Sequence, residues 1–138
     1  MDIYTPHSSQ EKIPFVEGIR AGFPSPAEDF AEPTLDLNRY VIKNPASTFY
    51  ARISGNSMEG ADIHDGDIVV IDKSLNPTNG TIAVCYIDGE FTLKRICIEK
   101  NRVWLVPANP EFPKIEVTEE NHFIVWGIVT FVIKKIGG

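Results

Sequence analysis

Three short segments carry the groups for one reaction. Ser57 lies in Ser54-Gly55-Asn56-Ser57-Met58-Glu59-Gly60, Lys94 in Phe91-Thr92-Leu93-Lys94-Arg95, and the pair Ala21-Gly22 comes earlier in the chain. A serine hydroxyl is a weak nucleophile until a neighbouring base takes its proton. Histidine is the usual base, but His7, His64 and His122 share no motif with Ser57. A lysine amine serves instead if burial lowers its pKa toward neutrality, because desolvation disfavours the charged form. Attack on a carbonyl also needs donors for the oxyanion. A tight turn at Ser54-Gly55-Asn56-Ser57 would aim successive backbone N–H groups at one point, with the Asn56 and Met58 backbone close by. Gly55 supplies the backbone freedom such a turn requires. Ala21-Gly22 joins two small residues and offers little steric resistance to attack. Together these groups suit hydrolysis of a peptide bond in the chain itself.

The strand that would hold Lys94 supports a buried amine. By period-two alternation, Thr92, Lys94, Ile96 and Ile98 share one face, and Phe91, Leu93, Arg95 and Cys97 the other. Lys94 thus keeps company with isoleucines, and Thr92 is placed to orient the amine by a hydrogen bond. By residue type alone, a serine after Gly-Asn also suits an ordinary turn. A strand lysine also suits a side chain that reaches water. Met58 is expected to pack, not to react.

Other functions are narrowed by composition. The 138 residues suit one domain, and 43% hydrophobic residues allow a real core. A formal charge of −6 makes nucleic acid a poor primary partner. No apolar run approaches the roughly 20 residues that span a bilayer, and no signal peptide is visible, so a cytoplasmic protein with no membrane partner is expected. Cys85 and Cys97 lie in apolar alternating segments and read as buried thiols. Neither their spacing nor the scattered histidines fits a metal site, and no cofactor is implied. Asp65-Gly66-Asp67 reads as a turn, and Lys134-Lys135 as a solvated rim.

Two textures divide the chain. Residues 1–34 contain Pro6, Pro14, Pro24, Pro26 and Pro33 and little periodicity, so an extended N-terminal arm is expected there. From residue 35 to 138 the pattern is strand-rich and predicts a mainly β domain. Strands are expected over 48–53, 68–72, 81–87, 90–98, 103–106 and 123–133. Asp88-Gly89 between two β-rich runs is a strong hairpin signal. Short helical turns are expected only near Ser57 and Leu35-Asp36-Leu37.

The order of these motifs resembles the LexA/UmuD family of self-cleaving Ser/Lys peptidases, and its UmuD branch in particular. The resemblance runs through Ala21-Gly22-Phe23-Pro24-Ser25-Pro26, Asp36-Leu37-Asn38, Ser54-Gly55-Asn56-Ser57-Met58 and Asp65-Gly66-Asp67. It continues through Asp88-Gly89-Glu90-Phe91-Thr92-Leu93-Lys94-Arg95 and Trp126-Gly127-Ile128-Val129. It implies a compact body like the LexA C-terminal domain, of the β-clip type, with Ser57 as nucleophile and Lys94 as general base and then acid. Ala21-Gly22 would be the scissile bond, cut when a RecA filament on single-stranded DNA favours the cleavable state. The product, residues 22–138, would form a homodimer serving a Y-family, UmuC-like translesion polymerase in the SOS response. Only 21 residues precede Gly22, too few for a helix-turn-helix domain, so no sequence-specific DNA binding is expected. Ala21 resembles the repressors here, where the best-known UmuD has cysteine. Two other readings stay open: a non-catalytic dimeric polymerase-binding module, and a processing peptidase acting in trans.

Overall fold

The computed structural model describes residues 2–6, 13–14, 34–55, 58–108 and 110–137. The chain divides into two units, residues 1–6 with 44–138 and residues 7–43. In the second unit, β2 (Ile13–Pro14) pairs with β3 (Thr34–Leu35), and α1 (Leu37–Val41) follows. Asp36 caps α1, its carboxylate accepting from Arg39 N–H at 3.3 Å.

The first unit is built on one antiparallel sheet. Its strands are β1 (Asp2–Tyr4), β4 (Thr48–Arg52), β5 (Ile68–Asp72), β6 (Ile82–Ile87), β7 (Glu90–Glu99), β8 (Arg102–Val106), β9 (Ile115–Glu116) and β10 (Phe123–Ile133). Their order across the sheet is β1-β4-β5-β10-β6-β7-β8-β9. The β6–β7 hairpin turns at Asp88 (φ 48°) and Gly89 (φ 87°), the paired positive dihedrals that match strand twist. Lys100 and Asn101 repeat that geometry between β7 and β8 without a glycine, which is why the turn is not visible in the residue types.

Long β10 joins the two halves by pairing with β5 on one side and β6 on the other. Its register slips between Val125 and Gly127 and again between Val129 and Phe131, the bulges that bend a strand serving two neighbours. Gly127 is required by close approach, since a Cβ there would overlap the Ile71 side chain.

Alternation sends side chains to two apolar clusters. One holds Ala51, Ile53, Met58, Ile63, Val69, Ile71, Val84 and Leu93. The other holds Ala83, Cys85, Ile96, Leu105 and Ile128. Successive residues of β6 (Ala83, Val84, Cys85) divide between them, so the clusters lie on opposite faces of the sheet. Cys85 is buried as expected. Cys97 is only partly so, because β7 runs out of its cover toward exposed Ile98. Among the described residues, no helix is long and apolar enough to cross a membrane.

One polar knot ties the start of β4 to the end of β5. Asp72, only 4% exposed, accepts from Ser74 N–H at 2.8 Å, Ser74 Oγ at 2.6 Å, Ser47 Oγ at 3.0 Å and Asn44 Nδ2 at 3.0 Å. Burial would raise its pKa, but the bonds from Ser74, Asn44 and Ser47 outweigh burial and hold it at about 2. A folded pKa below the unfolded value of 3.8 means stability that is complete above pH 4 and lost as pH falls toward 2. The loss amounts to about 2 kcal/mol. Urea unfolding from pH 7 to 2 should therefore show Asp72→Asn less stable than the parent at neutral pH. The gap should narrow by about that amount at pH 2; a gap independent of pH would contradict the role given to this carboxylate.

Candidate active site

Lys94 sits in the middle of β7, opposite Ala83 of β6. It is 8% exposed, beside Ile96 at 1%. The shared face of Thr92, Lys94 and Ile96 is therefore turned inward, while Ile98 beyond them emerges at 44% exposure. Burial lowers the Lys94 pKa, and Cys85 on the facing strand opposes this only partly. The Cys85 thiol is itself pushed by burial up to about 12, so at neutral pH it offers no anion to hold an ammonium. Among the described residues, no carboxylate pairs with Lys94 and no hydrogen bond joins it to Thr92. This environment shifts the amine toward its uncharged form.

Ser57 and Asn56 lie outside the described residues, as do Ala21 and Gly22. The flanks of the Ser57 run are described. A pocket of about 100 Å³ is walled on one side by Ile53, Ser54, Gly55 and Met58, and on the other by Phe91, Thr92 and Leu93. The structure thus brings the two ends of the nucleophile motif against the stretch of β7 that leads into Lys94. Thr92, on the face of Lys94, forms part of the wall. Met58 is 2% exposed and packs into the larger cluster, as its side chain was expected to do.

The loop from Ile53 to Asp67 is fixed at several points. Gly55, at φ +93°, takes a conformation that side chains resist. Its N–H donates to Asp65 Oδ1 at 3.0 Å. Ile53 N–H donates to the Asp67 carbonyl at 2.8 Å, and Gly66 N–H to the Ile53 carbonyl at 2.8 Å. Ala61 and Ile63 N–H groups both donate to the Met58 carbonyl. A Cβ at Gly60 would overlap the Ala108 carbonyl, so the loop is pressed against that backbone.

Asp65-Gly66-Asp67 is a turn, but a working one. Asp65 holds Gly55. Asp67 accepts from His64 N–H at 2.8 Å and is ion-paired with Lys134. Burial would raise the Asp67 pKa, yet the Lys134 and His64 contacts lower it overall. Lys134, expected on a solvated rim, is instead a partner of a buried carboxylate. No signal in the sequence links Asp65 to Gly55, because the contact depends on how the loop closes.

Aromatic packing adds a second wall. Phe91, which lines the pocket, meets Trp126 at 5.5 Å and Tyr86 at 5.1 Å between ring centroids, and Trp126 meets Phe49 at 5.1 Å. Such tilted pairs are favoured by the ring quadrupoles.

Comparison with known proteins assigns the architecture. Residues 14–130 match the family described as Peptidase S24-like. The chain belongs to that family. It is 42% identical over 125 residues to Protein MucA of Salmonella typhimurium, covering 89% of this chain and 85% of that protein. To Protein SamA of Salmonella typhimurium strain LT2 it is 45% identical over 121 residues, covering 88% and 84%. The LexA repressor of Ectopseudomonas mendocina is 33% identical over 129 residues, which span 93% of this chain and 63% of the repressor. The mainly β body is the LexA-like S24 fold, and the family makes the protein a serine peptidase of the LexA/UmuD type.

A buried lysine leaves a thermodynamic mark. Its folded pKa lies below the unfolded 10.5, so between the two values the unfolded state holds a proton that the folded state lacks. Stability should rise with pH across that window. Lys94→Met, which keeps the stem and removes the amine, should be no less stable than the parent at pH 7 and should lose this slope. Urea titrations of both chains from pH 7 to 10 measure it, and identical slopes would contradict the buried amine.

Proposed function

We propose that the chain cuts its own Ala21-Gly22 bond with a Ser57/Lys94 dyad. The observation that carries this reading is Lys94 itself, a buried amine with lowered pKa on the sheet face whose neighbour Thr92 lines the pocket beside the Ser57 flanks. Membership of the S24 family supports it.

The steps follow from the groups. Neutral Lys94 Nζ takes the Ser57 Oγ proton as Oγ attacks the Ala21 carbonyl carbon. The negative charge moves to the carbonyl oxygen, where backbone N–H groups around Asn56, Ser57 and Met58 receive it. As the C–N bond breaks, the Lys94 ammonium returns the proton to the departing Gly22 nitrogen. Water, deprotonated by Lys94, then hydrolyses the Ser57–Ala21 ester. Thr92 helps to orient the amine. A pocket this small suits a small residue such as Ala21 before the cut.

The biological reading extends the family resemblance. Residues 1–34 act as the arm that delivers the bond to the domain of residues 35–138, and a RecA filament on single-stranded DNA favours that delivery. The product, residues 22–138, forms a homodimer and serves as a subunit of an error-prone translesion polymerase during the SOS response. Similarity to Protein MucA and Protein SamA supports the UmuD-like branch over the repressor branch.

Intact mass spectrometry tests the chemistry. The parent chain at pH 9 should give residues 1–21 and 22–138, with RecA filament and ATP speeding the cut at pH 7. Ser57→Ala and Lys94→Ala should each slow it by roughly 10³-fold or more. Normal processing by either variant would sink the dyad. In cells, residues 22–138 should support damage-induced mutagenesis and the uncut Ser57→Ala chain should not.

A further inference from the structure

We infer that β1 is a removable edge strand, and that the β4 edge beneath it is a binding site for an extended segment of another protein. The opening of that site rests on the cleavage proposed above; the existence of the site does not. β4 has β5 on one side and β1 on the other, through Asp2↔Arg52, Ile3↔Ala51 and Tyr4↔Tyr50. Ile53 hydrogen-bonds toward β5, at Asp67. Alternation therefore turns the N–H and C=O groups of Arg52 and Tyr50 the other way, toward β1. Without β1, those groups form an open sheet edge, the template on which extended segments add as strands.

The seat selects what fills it. Ile3 packs against the cluster that contains Ala51 and Val69. Tyr4 is 55% exposed, and Pro6 lacks the N–H to extend the ladder. An occupant therefore needs an extended backbone and an aliphatic side chain at the central position, with few demands on its flanks. A second copy of β4 would offer Tyr50, Ala51 or Arg52 there, none an aliphatic group of the size of Ile3. That favours another protein's segment over self-pairing.

Chain order makes the seat conditional. β1 precedes Ala21-Gly22 and β4 follows it. In the uncut chain the covalent link keeps β1 at high effective concentration. After the cut, the described contacts holding residues 1–21 are the three β1 pairs with one aliphatic anchor and the two β2–β3 pairs. A stable interface engages about 20–30 residues a side. The peptide leaves, and the bond break that ends the precursor opens a partner site.

The test uses full-length chains made uncut by Ser57→Ala, their mass confirmed at the end of each run. Amide exchange at Tyr50 and Arg52 should be slow in that chain and at least tenfold faster when Ile3→Asp is added. Val69 and Ile71 amides should stay protected in both, which reports an intact fold. Tyr4→Pro, which removes a pairing donor without touching the core, should act as Ile3→Asp does. Roughly millimolar peptide Met-Asp-Ile-Tyr-Thr-Pro should shift the Tyr50 and Arg52 amides of the Ile3→Asp chain saturably. It should leave the chain with native β1 unmoved. Equal exchange in all three chains, or equal peptide response with and without β1, would overturn the edge site. Concentration-dependent pairing of the Ile3→Asp chain through Tyr50 and Arg52 would overturn its assignment to another protein. A final arm lets the parent cut itself. Exchange at Tyr50 and Arg52 should then quicken in step with the appearance of residues 22–138, and cutting without it overturns the release. If the parent never cuts, the cleavage reading and the release fall together, while the Ile3→Asp arm still judges the site.

Discussion

An ammonium is expensive to bury, and the β6–β7 ladder buries a lysine at Lys94. The register Ala83↔Lys94 places the side chain beside a small residue, with Cys85 two pairs further along and Ile96 beside it on the same strand. None of these neutralises a positive charge at neutral pH. The environment therefore turns an ordinary lysine toward its neutral form, which is the form a general base requires. The hairpin turn at Asp88-Gly89 sets that register. A one-residue slip would send Lys94 to the opposite face of the sheet and Leu93 to its place.

The second requirement is a rigid approach to β7. The loop that carries the Ser54–Gly60 run is closed on itself by Asp65, held at its base by the Ile53–Asp67 pairing and pinned by Met58 in the core. The neighbouring Asp67–Lys134 pair ties the turn to the chain beyond β10. The Asp72 knot holds β4 and β5 together at the opposite end of the pair, away from that loop. The Asp65, Ile53–Asp67 and Met58 contacts hold the described ends of the Ser54–Gly60 run, Gly55 on one side and Met58 on the other.

Much of this was legible in the residues. Alternation found β4, β5, β6, β7, β8 and β10 to within a residue or two, because each is a run rich in β-branched and aromatic residues, and most are bounded by turn signals. The inward face of Lys94 followed from the same period. What escaped depended on tertiary closure. β1 and β9 are too short to show a period, and β1 is a strand because β4 offers an edge for it. Lys100-Asn101 turns without glycine. Asp65 and Asp72 look like ordinary turn acids until the backbone groups they serve are brought to them. Lys134 looked like rim because its partner Asp67 is distant in sequence. The sequence stated the chemistry of the site more fully than its scaffolding, since residue types carry chemistry and contacts carry position.

The central claim is that the Lys94 amine is the base, and one comparison tests it directly. The pH dependence of the self-cleavage rate would be measured beside the titration of Lys94, followed through its side-chain carbon shifts in the uncut Ser57→Ala chain. The account predicts a Lys94 midpoint below the ordinary lysine value, and a cleavage rate that climbs through that midpoint and levels off above it. A rate that ignores the Lys94 titration, or a Lys94 that titrates like a lysine in water, would contradict it.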